Sequence, residues 1–295
     1  MSKVVTMAEA IEAHVPDGAT VAMGTALEPL IPFAAGHEMI RRGRRGLTLV
    51  GPISDCLFDQ LIGGGCVTRV VAAWVGNVSE GLGHNYRRAT EQGRPPLEVW
   101  DHSNFSISMA LWAAAWNVPF VPTRSLVGSD ILATNPGLHL IDGLVRVEAV
   151  RPDVAILHVQ RADAEGRAHA WGPLGVSEEA GLAAERVILS CEELVDADVT
   201  LSDPNRILLP ETKVVAVVHE PGGAHPSPVQ GHWRRDHAHY ADYHRRSRTP
   251  EGSEGWLREW VHEVPDRAAY LALVSTDELR VTRHLLSAPA DYGDE

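Results

Sequence analysis

The chain has 295 residues, 44% hydrophobic and 22% charged, with a formal net charge of −13. That is ordinary globular composition, long enough for one large α/β domain or two modest ones. The acidic balance argues against nucleic acid or an anionic membrane surface as the main partner, because both call for a basic field.

No apolar run approaches the roughly 20 residues a bilayer-crossing helix needs. The opening MSKVVTMAEAIEAHVPDGA carries acids and no apolar core, so it does not read as a secretory signal. Cys56, Cys66 and Cys191 form no CxxC motif and read as reduced thiols of a cytoplasmic protein. Lysine occurs only at Lys3 and Lys213. An anionic ligand is therefore expected to be held by arginine or by backbone N–H groups.

In chain order, MAEAIEAHV has apolar residues at helical spacing, and ATVAMG (19–24) reads as a strand. Residues 29–42 read as a helix ending in arginines, followed by strand LTLVG (47–51), a short helix over 55–62 and strand CVTRVVAAWVG (66–76). A helix over 81–93, strand LEVWD (97–101) and a helix over 104–117 follow, then an extended edge segment, VPFVPT. Residues 123–143 read as loop, 144–150 and 153–162 as strands, and RAHAWG as the return strand of a hairpin. A helix over 177–185 and two buried strands, RVILSCEEL and TKVVAVVHEP, complete the alternation. Such alternation predicts an α/β fold: a mostly parallel sheet with helices on both faces. The tail from about 232 reads as charged, His-rich and helical. The expected organisation is a domain over 1–230 with a helical extension, 231–295, packed on it.

Gly63, Gly64 and Gly65 lie between a helix and a strand. A phosphate-cradling loop needs the opposite order, strand, glycines, then helix, and no GK[ST] follows. The run therefore reads as a helix C-cap with one residue at positive φ. Strand carboxyl ends are the more informative places, because ligands of open α/β sheets bind there. MGTALEP (23–29) leaves the first strand with Gly24, Thr25 and Glu28. WVGNVSEGLG (74–83) leaves the third with Gly76, Asn77 and Ser79. WDHSNFS (100–106) leaves the fourth with His102, Ser103 and Asn104. Small polar groups and free N–H groups at three strand ends can line one crevice and hold an oxyanion; turn-forming and capping are the alternative roles. No nucleophile-elbow pattern accompanies them. His232, His237, His239 and His244 lack the i, i+4 spacing of helical metal ligands and read as a solvated helix face, with no metal expected. HEPGGAHPSP (219–228) fixes an unusual backbone path and reads as a structural turn.

Four blocks, GPISDCLFDQLIGGGCVTRVVAAWVGNVSEG, EVWDHSNFSISMALWAAAWNVPFVP, RPDVAILHVQRADAEGRAHAWG and HEPGGAHPS, run in an order that resembles the α (A) subunit of family I coenzyme A transferases, glutaconate CoA-transferase in particular. The resemblance covers about residues 5–230. It implies a CoA-transferase-like open α/β fold and a partner B (β) subunit, often assembled as an α2β2 heterotetramer. It also implies coenzyme A thioesters and carboxylic acids as substrates, and no permanently bound cofactor. The catalytic glutamate is expected on the partner and no catalytic residue on this chain. Gly76, Asn77 and Ser79 match the pocket-forming turn, with residues 101–104 nearby.

Two departures bear on the substrate. Many relatives carry a basic residue where this chain has Glu28, and a carboxylate there repels a dicarboxylate unless protonated or paired. That points away from glutaconate itself. In the ring-cleaving hydrolases of the superfamily a glutamate follows the fourth strand, where this chain has Asn104. A hydrolase or decarboxylase subunit on the same scaffold, and a non-catalytic acyl-CoA binding protein, are the alternatives to a transferase subunit.

Overall fold

A computed structural model describes residues 2–93 and 96–281; the acidic end of the chain, DYGDE, lies outside them. The central sheet contains β1 (Thr20–Ala22), β2 (Leu47–Ile53), β3 (Val67–Trp74), β4 (Glu98–Asp101), β5 (Val154–Asp163), β6 (Ala168–His169), β7 (Arg186–Val195) and β8 (Val214–His219). Their order is β8-β7-β5-β1-β2-β3-β4, all parallel, with β6 folding back antiparallel on β5. The chain starts in the middle at β1, runs outward to β4, then returns to β1's other side at β5. The strand order therefore reverses between β1 and β5, the place where open α/β sheets open a crevice.

The strands are apolar on both faces because both faces are covered. Val21, Leu49, Val70 and Ile156 point into one core, with the helices Met7–His14, Phe33–Arg41 and Leu57–Gly63. Their neighbours Ala22, Val50, Val71, Ala155 and Leu157 point into the other, with the helices Asn104–Ala115 and Ser177–Ala183. This is the strict period of two expected of a strand. Tyr240, Tyr243, Trp256, Leu257 and Val261, from the helical segment after residue 236, are buried in the first of these cores.

Local departures from the sequence expectations have simple causes. The second helix begins at Phe33 rather than at residue 29, because Pro29 and Pro32 flank Leu30, held at φ +58°. Residues 76–77 and 81–82 pair as a tight hairpin, so the next helix starts at His84. Residues 138–141, expected as loop, join Phe120–Thr123 and Leu144–Glu148 in a separate antiparallel sheet, with Phe120–Thr123 at an edge. Leu144–Glu148 is thus not a strand of the central sheet. Gly65 has φ +69° and closes the helix Leu57–Gly63, as a C-cap glycine does.

Candidate functional site at the carboxyl edge of the sheet

The segment leaving β1 is pinned from both sides. Gly24 (φ +67°) lies so close to the end of β2 that a Cβ there would come within 2.2 Å of Ser54 Oγ, and Ser54 Oγ donates to the Met23 carbonyl at 3.0 Å. Thr25 is buried, its hydroxyl 2.8 Å from Ser177 Oγ, and its carbonyl accepts from Val176 N–H at 2.9 Å. Beyond it, Ser227 Oγ donates to the Glu28 carbonyl and Leu30 N–H donates to the Pro228 carbonyl. Leu27 and Leu30 sit at φ +75° and +58°. A left-handed conformation costs an ordinary residue about 1–2 kcal/mol, and such strain gathers at functional sites because surrounding contacts must enforce it. The result holds Glu28 outward: it is exposed beside the switch point while Ala26, Pro29 and Leu30 are buried and Leu27 is half-buried.

At the end of β3, Gly76 (φ +155°) has no room for a side chain, since a Cβ would lie 2.5 Å from the Gly81 carbonyl oxygen. Asn77 is 2% exposed. Its Oδ1 accepts from Ser79 N–H at 2.8 Å and Glu80 N–H at 2.9 Å, while its Nδ2 is buried without a hydrogen-bond partner. Asn77 thus does the turn-forming work of the alternative reading and still has a donor to give. Ser79 is exposed at the hairpin tip.

After β4, Ser103 caps the helix Asn104–Ala115 in a reciprocal capping box with Ser106. His102 is 4% exposed, with Nδ1 3.0 Å from Ser106 Oγ. Burial pushes its pKa down to about 4, so at neutral pH it is an uncharged hydrogen-bonding group and not an anion-binding cation. Asn104 is exposed on the first turn. The three segments leave β1, β3 and β4, which span three strand spacings, roughly 14 Å. Glu28, Ser79 and Asn104 are the members that reach solvent; Thr25 and His102 serve from beneath.

The sequence did not reveal a charged pair in the gap between them. Asp55, directly after β2, is 0% exposed at φ +48°. Its Oδ2 lies 2.8 Å from Arg235 Nη2, and the Arg235 guanidinium stacks 4.1 Å over the Tyr240 ring. Nε and Nη1 of Arg235 are buried without hydrogen-bond partners. Burial pushes the Asp55 carboxyl up to about 6, against the pull of Arg235.

The His-rich segment is not a solvated face. Only His237 is exposed; His239 is buried among Trp256, Trp260 and Tyr270, His232 faces Glu193 at 3.0 Å, and His244 Nε2 faces His84 Nε2 at 3.2 Å. The turn at 219–228 is a packing hub. His225, joined to Pro226 by a cis peptide, bridges Tyr270 and Asp236, and Arg267 donates to the carbonyls of Gly222 and His225. Among the described residues, no group of three or more His, Cys, Asp or Glu side chains is placed to hold a metal.

A cavity of about 880 Å³ is lined by Gly63–Gly65, which lead into the amino end of β3, and by Asn85, Arg88, Ser253 and Arg258 among others. It borders a closed polar cluster. Asp59 accepts from Tyr243 O–H at 2.7 Å, Tyr86 N–H at 2.7 Å and Asn85 Nδ2 at 3.1 Å, and Asn85 also donates to Ser253. The Asp59 cluster is satisfied within itself, so the cavity's volume alone does not mark it as the site.

Comparison with known proteins agrees with this placement of the fold. Residues 4–220 match the family model described as coenzyme A transferase. The chain is 38% identical over 283 residues to the A subunit of 3-oxoadipate CoA-transferase from Pseudomonas knackmussii, covering 93% of this chain and 99% of the relative. It is 30% identical to the A subunit of glutaconate CoA-transferase from Acidaminococcus fermentans, over 92% and 91% of the two chains. The crystal structure of that glutaconate CoA-transferase superposes with a TM-score of 0.89, covering 95% of this chain and 96% of that one. A variant of the decarboxylase AibA/AibB superposes at 0.72 with 30% identity, over 87% and 99%.

Proposed function

The chain belongs to the coenzyme A transferase family, and from that premise we propose that it is the A subunit of an acyl-CoA:carboxylate CoA-transferase whose partner B subunit supplies the nucleophilic glutamate. In that chemistry a glutamate oxygen bonds to the thioester carbonyl carbon, and the C–S bond breaks to release CoA thiolate and leave an acyl anhydride. The thiolate then attacks the glutamyl carbonyl, giving a glutamyl-CoA thioester and releasing the acyl group as its carboxylate. An acceptor acid reverses the two steps and leaves as the new thioester. Splitting one difficult transfer into two lowers each barrier.

The observation that carries this reading is the open carboxyl edge. Pinned segments bring Gly24, Thr25, Glu28, Gly76, Asn77, Ser79, His102, Ser103 and Asn104 to the ends of β1, β3 and β4. This chain's share of the work is to form one wall of the acyl site. The Asn77 Nδ2–H is a donor available to a carbonyl or carboxylate oxygen, the backbone at Gly76 allows close approach, and neutral His102 supports the Ser103 cap. The partner closes the edge and excludes water from the anhydride. The assembly is taken as an α2β2 heterotetramer, acting on soluble acyl-CoA and free acids in the cytoplasm.

The test is turnover by the purified complex of this chain with its β partner. Different acyl-CoAs are offered with and without acetate, and thioesters and free CoA are followed by mass. A new thioester that forms only with acceptor is the expected result. Free CoA or a shortened acyl group without acceptor overturns the transferase reading in favour of hydrolysis or decarboxylation, a second reading that the similarity to AibA/AibB supports. Binding of acyl-CoA without turnover would leave a non-catalytic binding protein.

A further inference from the structure

Two carboxyl groups and one guanidinium meet at the middle of the carboxyl edge. Glu28 is exposed on the pinned loop after β1; Asp55 and Arg235, paired at 2.8 Å, lie within its electrostatic reach. Glu28 is close enough to act on both: its charge disfavours ionisation of Asp55 and favours the charged form of Arg235. The other groups that face Asp55 are Tyr240, from the helix His237–Arg246, and the adjacent Cys56 thiol. Asp55 is fully buried, so it is not itself a nucleophile or a substrate contact.

This placement changes the meaning of Glu28. Taken alone, a carboxylate at the rim repels an acid carrying a second carboxylate. With Arg235 within its electrostatic reach, the repulsion depends on how much of the guanidinium's charge Asp55 has already offset. The guanidinium is incompletely used, since Nε and Nη1 have no partner. The backbone at Leu27, Leu30 and Asp55 is strained to hold this arrangement, and strain of that kind is retained where geometry matters to function.

We propose that Asp55 and Arg235 are positioning residues that set, together with Glu28, the charge preference of the acid-binding site, so that protonation of Asp55 shifts the site from acids with one carboxylate toward acids with two. This rests on the carboxyl edge being the acid-binding wall of the transferase. The sign follows from the cluster's charge. Taking up a proton at Asp55 makes the cluster one unit more positive, and a second carboxylate on the ligand gains from that while a neutral alkyl end does not. Asp55 titrates at about 6, so the shift falls across pH 7 to 5.5.

The test is calorimetric binding of butyrate and glutarate to the complex of the full chain with its β partner, between pH 5.5 and 8. The acids' own titration is common to every variant and drops out when variants are compared. At pH 8 the glutarate-to-butyrate binding ratio in Asp55→Asn should exceed the wild-type ratio roughly threefold, the effect of one charge acting over about 8 Å near a water-like dielectric. The two ratios should converge by pH 5.5. Glu28→Gln should raise the ratio at pH 8 while keeping the dependence on pH. Equal ratios for wild type and Asp55→Asn at all pH values would overturn the proposal. Should Asp55→Asn fail to fold, an unchanged ratio in Glu28→Gln, an exposed position, does the same. Because binding is read without turnover, a wild-type complex that shows the shift but transfers no CoA would refute the transferase reading and leave this one standing.

Discussion

Two neighbouring polar clusters, one helical turn apart along the segment that follows β2, treat their groups in opposite ways. Around Asp59, Asn85, Tyr243 and Ser253 close a buried network in which each group meets another. At the carboxyl end, Asn77 Nδ2 and Arg235 Nε and Nη1 are buried without partners, and Leu27, Leu30 and Asp55 hold positive φ. The Asp59 cluster borders the cavity, and the carboxyl edge has the unmet valences named above. Buried polar groups are ordinarily satisfied, so exceptions call for a reason. A satisfied network stabilises; strained and unsatisfied groups are kept only where they are used. That contrast favours the open edge as the candidate site.

Substitutions can break this contrast. The largest expected effect is on stability, in the Asp59 cluster. Asp59→Ala leaves Tyr243 O–H, Tyr86 N–H and Asn85 Nδ2 without their acceptor and should cost about 3 kcal/mol in denaturant unfolding. KM of the folded fraction should stay the same; a KM change with no loss of stability would reverse the roles of the two clusters. At the carboxyl end, Ser79→Trp adds bulk to an exposed tip. It should lower turnover on the order of a hundredfold by displacing substrate, with the melting temperature unmoved. Full activity in a folded complex would remove the hairpin from the site.

Smaller effects sharpen the comparison. Glu28→Arg should raise use of dicarboxylic over monocarboxylic acids by roughly tenfold, from reversing one charge at the rim; competition between the two acids in one reaction reads this directly, and an unchanged ratio would take Glu28 out of recognition. Gly65→Ala should cost about 1 kcal/mol, because φ +69° suits glycine. It should leave kcat/KM alone, as befits a helix cap; a loss of activity would revive the glycine run as a ligand loop.

The doubly covered parallel sheet was legible because β2, β3, β5, β7 and β8 are apolar runs alternating with helical periodicity. The strand-end motifs were legible for the same reason: once the strands are placed, Gly24, Gly76 and His102 must fall at their carboxyl ends. The hairpin at 76–82 was not, since strands of two residues carry no period. The Asp55–Arg235 pair was not, since nothing local in SDC or WRRD records that tertiary packing joins them. His239 was misread as solvated because helical spacing describes one helix face, whereas its cover comes from Trp256, Trp260 and Tyr270 on later segments.

Amide hydrogen exchange on the αβ complex, with and without a bound acyl-CoA, tests the placement of the site most directly. The account predicts new protection in residues 24–30, 53–56, 75–83 and 101–106, and none in residues 62–65, 85–92 or 250–262. Protection confined to the cavity beside Gly63–Gly65, with the carboxyl edge unchanged, would contradict it.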